Sequence, residues 1–227
     1  MLDRYPDARA LLMDVDGTLL DSVDAQAHCW VRALQSFDYP VDYSQVRPRI
    51  GMGHDRILHE LCGVSAASPR ARRLLEVRDQ LLRTHYLPWI RARHGAHQFL
   101  ASMRQSGVRL GAVTSSGRPE ALGLLGAGQL LTEFDHVVCR DDASGGKPAP
   151  DTLLVALERL RVRPEQALMV ASSPHDVTAA RAAGVACVGL QNADWPPAVL
   201  IGGLRVYANL HAVSGHWRGR PSRPHAA

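Results

Sequence analysis

Asp14-Val15-Asp16-Gly17-Thr18-Leu19-Leu20-Asp21-Ser22 follows directly on the apolar run Ala10-Leu11-Leu12-Met13. Four apolar residues that end in two carboxylates and a glycine read as a buried strand opening into a polar turn at its carboxyl end. Side chains at i and i+2 of a strand share a face, so Asp14 and Asp16 look into one space, and Gly17 frees the chain to turn there. Two carboxylates so placed can divide the work of nucleophile and acid/base. A bare D-x-D is more often a solvated acidic loop; the longer string is what narrows the reading.

Outward from this strand, short apolar runs recur at 110–113, 137–139, Ala167–Ala171 and 185–190, each short enough to be a strand buried on both faces. Helical spacing fills Ala96–Gln105, 152–160 and 177–183, with Gly107 and Gly184 where helix ends are expected. Strand alternating with helix predicts an α/β fold with a central parallel sheet covered on both sides, whose chemistry gathers at the carboxyl ends of its strands. The stretch 22–93 breaks the rhythm. Its three helical patterns, 25–37, 54–61 and 70–86, punctuated by Pro40, Pro48 and Pro69, predict an α-helical cap inserted after the first strand. The division expected is therefore a core of 1–21 and 94–213, a cap of 22–93, and a disordered tail of 214–227. A short strand at 206–210 would close the core, and the strip 191–195 would border the site.

Composition limits the function classes. With 227 residues, 46% hydrophobic and 21% charged, the chain can bury a sizeable core, and no apolar run reaches the roughly 18 residues of a membrane span. The N-terminus, with Asp3, Arg4 and Asp7, lacks a secretory apolar region, so a soluble cytoplasmic protein with no membrane partner is expected. Cys29, Cys62, Cys139 and Cys187 have no metal-ligand or disulfide spacing and read as reduced structural thiols. The net charge of +4 is carried by Arg205, Arg218, Arg220 and Arg223 near the end, where no acidic residue follows Asp194; no specific nucleic-acid groove is predicted. His94 and His97, at i and i+3 with no carboxylate nearby, read as surface residues.

Three further strings stand out. Leu110-Gly111-Ala112-Val113-Thr114-Ser115-Ser116 is an apolar strand ending in hydroxyls. Gly146-Lys147-Pro148-Ala149-Pro150-Asp151 holds the one lysine among 26 basic residues, in a chain that writes every other cation as arginine. A compact ammonium is wanted there rather than a planar fork. Ala171-Ser172-Ser173-Pro174-His175-Asp176 closes the next strand.

Together these strings resemble the motifs of the haloacid dehalogenase-like hydrolase superfamily, in its helical-cap branches similar to phosphoglycolate phosphatase and β-phosphoglucomutase. The resemblance covers nearly the whole chain and implies a Rossmann-like core. It implies a phosphatase-type hydrolase acting on a small phosphorylated metabolite: Asp14 as nucleophile forming an aspartyl phosphate, Asp16 as acid/base, and Thr114 and Lys147 holding the phosphoryl group, with Ser115 or Ser116 the alternatives for the role of Thr114. It implies Mg²⁺, a cation of hard oxygen ligands, held by Asp14, the carbonyl of Asp16, Asp176 and the position of Ser172. In the cap, Arg47-Pro48-Arg49-Ile50-Gly51-Met52-Gly53-His54 resembles a substrate-facing loop, with Arg47, Arg49 and Gly51 the candidate contacts. A monomer or homodimer is expected.

The fourth motif departs from the family. Its phosphatases read G-D-S/T-x-x-D, and here the first aspartate is Ser172. Two unit charges 4 Å apart interact by about 4 kcal/mol at an effective dielectric near 20, and a divalent ion roughly doubles this, so losing one carboxylate weakens magnesium markedly. A catalytically weak or inactive phosphometabolite-binding relative therefore stays open, as does a metal-independent haloacid dehalogenase, whose S-S-N-x-x-D is loosely similar. Those dehalogenases have Tyr where this chain keeps Asp16. Lys147 does not lie in a G-x-x-x-x-G-K-S/T loop, which removes a P-loop kinase. The phosphonate-cleaving branch needs a cap lysine, and the cap has none.

Overall fold

The computed structural model describes residues 8–191, 195, 200 and 205–216. The strands β1 (Ala10–Met13), β2 (Arg109–Val113), β3 (His136–Val138), β4 (Ala167–Ala171), β5 (Ala186–Leu190) and β6 (Val206–Tyr207) form one sheet. Its order is β3-β2-β1-β4-β5-β6, with every neighbouring pair parallel. Parallel pairing requires crossovers, and the helices that supply them cover both faces. The side chains of β1 show the division directly. Leu11 and Met13 join the apolar cluster built with α5 (Ala96–Gln105), α6 (Arg118–Ala127) and α9 (Leu210–His216), whereas Ala10 and Leu12 join the cluster built with α7 (Asp151–Arg159) and α8 (Pro174–Ala182). All four are fully buried, which is why the run carries no polar residue; each leucine contributes about 1.5–3 kcal/mol by leaving water.

The chain order reverses about β1: β2 and β3 lie to one side, β4 to β6 to the other. Crevices open at such switch points beyond the carboxyl ends of the strands, and the sequence places Asp14 there.

Between β1 and α5 the chain leaves the core. The helices α1 (Val23–Gln35), α2 (Tyr43–Val46), α3 (His54–Cys62) and α4 (Pro69–Leu81) bury an apolar cluster of their own around Trp30, Leu34, Ile57, Leu58 and Leu74. The two connecting segments are tied to each other: the Asp21 N–H donates to the Arg91 carbonyl at 3.0 Å and the Arg93 N–H to that of Leu19 at 2.8 Å.

Several details differ from the sequence expectation. Helix α6 was not anticipated, because Gly123 and Gly126 interrupt its apolar spacing. The pattern 70–86 is α-helical only to Leu81 and then widens into a π turn, Leu82–Tyr86. The late strand is two residues long, and Leu210 already begins α9, which continues through His216. The tail expected from 214 therefore starts in a helix, since Leu210 and Val213 are buried against the core; residues 217–227 lie outside the described ones. No helix among the described residues is long and apolar enough to cross a membrane.

Candidate active site

The carboxyl ends of β1, β2 and β4 and the segment between β3 and α7 bring together Asp14, Asp16, Thr114, Ser115, Lys147, Ser172 and Asp176, each at most 8% exposed. Gly17, at φ +78°, turns the chain sharply after β1, a conformation that costs glycine little. The turn lets the Thr18 hydroxyl reach back, 2.9 Å from Ser172 Oγ and 3.3 Å from Asp14 Oδ2.

Lys147 is fully buried, and its ammonium donates to Asp14 Oδ1 and, at 2.6 Å, to Asp176 Oδ1. A single ammonium thus serves two buried carboxylates. Burial and the Asp176 charge push the Asp14 carboxyl up to about 7, against the downward pull of Lys147. Burial alone would lower the Lys147 ammonium, but Asp14 and Asp176 raise it, so it stays charged. Its backbone is held as well: the Lys147 N–H donates to Ser115 Oγ at 2.9 Å. Ser115 thereby ties the end of β2 to the lysine loop.

Asp16 is held from the cap side. Ser22 Oγ donates to its Oδ1 at 2.5 Å and Gln26 Nε2 at 3.2 Å. Burial and the charge of Glu120 raise its carboxyl above the ordinary value, and those two hydrogen bonds oppose the rise. Asp176 opens α8 as one half of a capping box: its Oδ2 accepts from Ser173 Oγ at 2.7 Å and from the Ser173 N–H at 3.1 Å. With Oδ1 on Lys147, both oxygens of Asp176 have protein partners.

The oxygens that a cation would meet are the Asp14 carboxylate, the Asp16 carbonyl and Ser172 Oγ, which lies 3.4 Å from that carbonyl. They are hard donors of the kind magnesium takes. The charge they bring is low: no group of three His, Cys, Asp or Glu among the described residues is arranged to hold a metal ion.

The cap sits down on this site. The Gly53 N–H donates to the Lys147 carbonyl at 3.1 Å, and His175 Nε2 lies 3.0 Å from the Pro48 carbonyl. The approach is close enough that a Cβ on Gly146 would stand 2.9 Å from Gly53 Cα, so only glycine fits. What remains between cap and core is a cavity of about 20 Å³ lined by Asp14, Asp16, Thr114, Ser115, Gly51 and Arg78 among others. That is room for one or two waters. A phosphate ester needs more room than that.

Of the three substrate contacts expected in the cap, Gly51 lines the cavity and the two arginines do not. Both ride on the 3-10 turn Arg47–Arg49, which sends them outward: Arg47 Nε donates to Asp24 at 2.8 Å and Arg49 Nε to Glu60 at 3.0 Å. The cavity's cap cation is instead Arg78. Its guanidinium, 1% exposed, donates to Glu120 of the core at 2.6 and 2.7 Å, to Asp79 at 2.8 Å and to Gln26 Oε1. Burial raises the Glu120 carboxyl, but the Arg78 charge outweighs it and holds the group at about 2. Burial and Arg78 lower His54, 3.6 Å from Glu120, so that imidazole is neutral at pH 7.

Sequence reasoning missed Gln26, Arg78, Glu120 and His54. One signal was readable: Ala71, Leu74 and Arg78 share the buried face of α4, so a cation stands at an apolar register position. Glu120 gave none. Of the strip 191–195, Trp195 packs edge-on against His175 with ring centres 5.9 Å apart, and 192–194 lie outside the described residues. His94 and His97 are exposed, and all four cysteines are free thiols.

Comparison with known proteins agrees with this geometry. The family profile described as haloacid dehalogenase-like hydrolase matches residues 11–190. A validoxylamine A 7'-phosphate phosphatase of Streptomyces hygroscopicus subsp. limoneus is 34% identical over 80% of this chain and 85% of its own length. A phosphoglycolate phosphatase of Escherichia coli strain K12 is 32% identical over 83% of each. The crystal structure of a hydrolase from Pseudomonas syringae superposes with a TM-score of 0.85 at 29% identity, covering 92% of this chain and 97% of that one. With the motif residues gathered at one switch point and the profile running from β1 through β5 and the helical insertion between β1 and α5, the chain belongs to the haloacid dehalogenase-like hydrolase family.

Proposed function

We propose that this protein is a phosphatase that hydrolyses the monoester of a small phosphorylated metabolite through an aspartyl phosphate on Asp14, with Mg²⁺ as cofactor. The observation that carries the proposal is the burial of Asp14 against Lys147, at a switch point where Thr114 and Ser115 present hydroxyls and Asp16 stands within reach of the same cavity. The curated relatives named above are phosphatases of small phosphate esters by their names, which supports the same substrate class.

The reaction follows from these positions. An Asp14 oxygen attacks phosphorus while the bond to the ester oxygen breaks, and the Asp16 carboxyl gives its proton to the departing alkoxide. Asp16, now a carboxylate, takes a proton from the water that attacks the aspartyl phosphate, and inorganic phosphate leaves. Lys147 and the hydroxyl of Thr114 hold the phosphoryl oxygens, where fixed charge in a water-poor site is most effective. Ser22 and Gln26 fix the carboxyl of Asp16 for both transfers. Magnesium, taken by the Asp14 carboxylate, the Asp16 carbonyl and Ser172 with waters completing its shell, would supply charge neutralisation for the phosphoryl group. Asp176 acts behind Lys147, positioning the ammonium.

Ser172 and the absence of a three-carboxylate cluster among the described residues favour one second reading: a relative that binds phosphate esters and turns them over weakly or not at all. The test is hydrolysis of an aryl phosphate across a magnesium titration. Turnover that needs Mg²⁺, vanishes in Asp14→Asn and reaches half-maximum at lower Mg²⁺ in Ser172→Asp is the expected result. Wild type inert at high Mg²⁺ while Ser172→Asp turns over would establish the second reading instead.

A further inference from the structure

Beyond the phosphoryl site, the junction of cap and core holds charges that the hydrolytic steps do not use. Behind the cavity lies a cleft of about 510 Å³ lined by His54, Asp55, Asp79, Glu120, Arg140 and Asp141 among others. His54 lines both spaces, and the Arg78–Glu120 pair stands beside it, so this pair and His54 form the wall between them. Through His54 the cleft adjoins the phosphoryl site.

We propose that this cleft receives the leaving group of the substrate, and that it selects a polyhydroxylated leaving group, neutral or carrying an amine, over one carrying a carboxylate. The inference rests on the phosphatase reading above and adds the class of ester. Two observations carry it. Four carboxylates, Asp55, Asp79, Glu120 and Asp141, face the cleft against Arg140, the Arg78 of its wall and a neutral His54, an excess of two negative charges. Such a field repels a second anion and attracts an ammonium.

The second observation is the state of Arg78. A substrate carboxylate would need its guanidinium fork, but both terminal nitrogens are already on Glu120, Asp79 and Gln26. Opening a buried pair of this kind for a competing anion sacrifices a strong interaction. Of the Arg78 nitrogens, Nε alone has no partner among the described residues, although it is buried on a side chain lining the cavity. An orphan donor of this kind offers one hydrogen bond, which suits a hydroxyl or ether oxygen and not the two-point geometry of a carboxylate. Trp30, whose ring lies 5.5 Å from the guanidinium carbon, supplies an apolar floor beside it.

The test compares phosphoglycolate and phosphoglycerate with sorbitol phosphate and glucosamine phosphate, with an aryl phosphate as reference. Wild-type kcat/KM should favour the polyol and aminopolyol esters by about tenfold or more, with the amine ahead at low ionic strength. Glu120→Gln, which frees the fork of Arg78, should move the ratio toward the carboxylate esters; Arg78→Lys, which removes the Nε donor, should narrow it. Binding of the same esters to Asp14→Asn by calorimetry reads the preference without turnover. Aryl phosphate hydrolysis with equal or better use of phosphoglycolate overturns the subsite and leaves the phosphatase reading intact. A tenfold binding preference for glucosamine phosphate in Asp14→Asn, with no turnover by wild type, upholds the subsite while the catalytic reading fails. No binding of any of these esters to Asp14→Asn overturns the subsite.

Discussion

Replacing Glu120 with glutamine removes one charge from the buried contact between cap and core and keeps its shape. Glu120 is 5% exposed on its side chain and Arg78 1%, so solvent does little to screen the pair. Holding a carboxyl at about 2 instead of the usual ~4.3 is worth about 3 kcal/mol, at about 1.4 kcal/mol per tenfold change in proton affinity. Breaking a buried ion pair by removing one partner costs about 3–5 kcal/mol in measured cases, which agrees. The folded pKa lies below the unfolded one, so this stability is fully present above about pH 4.3 and is lost as the pH falls through about 2. Urea unfolding of Glu120→Gln should therefore show a deficit of about 3 kcal/mol at pH 7 that shrinks to roughly half of that by pH 3. The double variant Arg78→Met, Glu120→Leu should return to near wild-type stability, because no buried charge is left unpaired. A deficit under about 1 kcal/mol at pH 7, or one that does not shrink on acidification, would refute the assignment of a buried cap–core ion pair.

Two further outcomes follow from burial. Lys147→Arg should lose turnover by about a hundredfold or more and lower the urea midpoint, since a fully buried site shaped for an ammonium between Asp14 and Asp176 has no room for a planar fork; near wild-type activity would show that charge alone suffices. A water-soluble thiol reagent should modify Cys62 first in the folded protein. Burial pushes Cys29 up to about 12 and Cys139 up to about 11, and raises Cys187 further, so these react only on unfolding; rapid labelling of Cys187 in the native state would contradict the packing of β5.

How far the sequence reaches differs from one residue to the next. The strand Ala10–Met13 and the helix Ala96–Gln105 have the same bounds in sequence and structure, because a fully apolar tetrad and an unbroken amphipathic decad leave the chain few alternatives. Helix α6 was invisible because glycines at 123 and 126 dilute its apolar face, which packing against Leu87 at Gly123 makes good. Asp14, Asp16, Thr114, Lys147 and Asp176 were legible because each ends a strand or sits in a short string of constrained residues. Arg47 and Arg49 do not line the cavity, since a basic turn looks the same in sequence whether it faces a cavity or a neighbouring Asp24 and Glu60.

The sequence by itself determined the alternation of strand and helix, the helical insertion after β1, and which polar residues meet beyond the carboxyl ends of the strands, for these are written in local periodicity and in strings fixed by backbone geometry. Only the tertiary structure decided which cation the cap presents and what it meets. Arg78 and Glu120 are 42 residues apart, on helices that the sequence does not relate. Their pairing exists because the linkers at Leu20 and Ala92 fold the cap back over β1, and a buried charge there had to find its counter-ion in three dimensions.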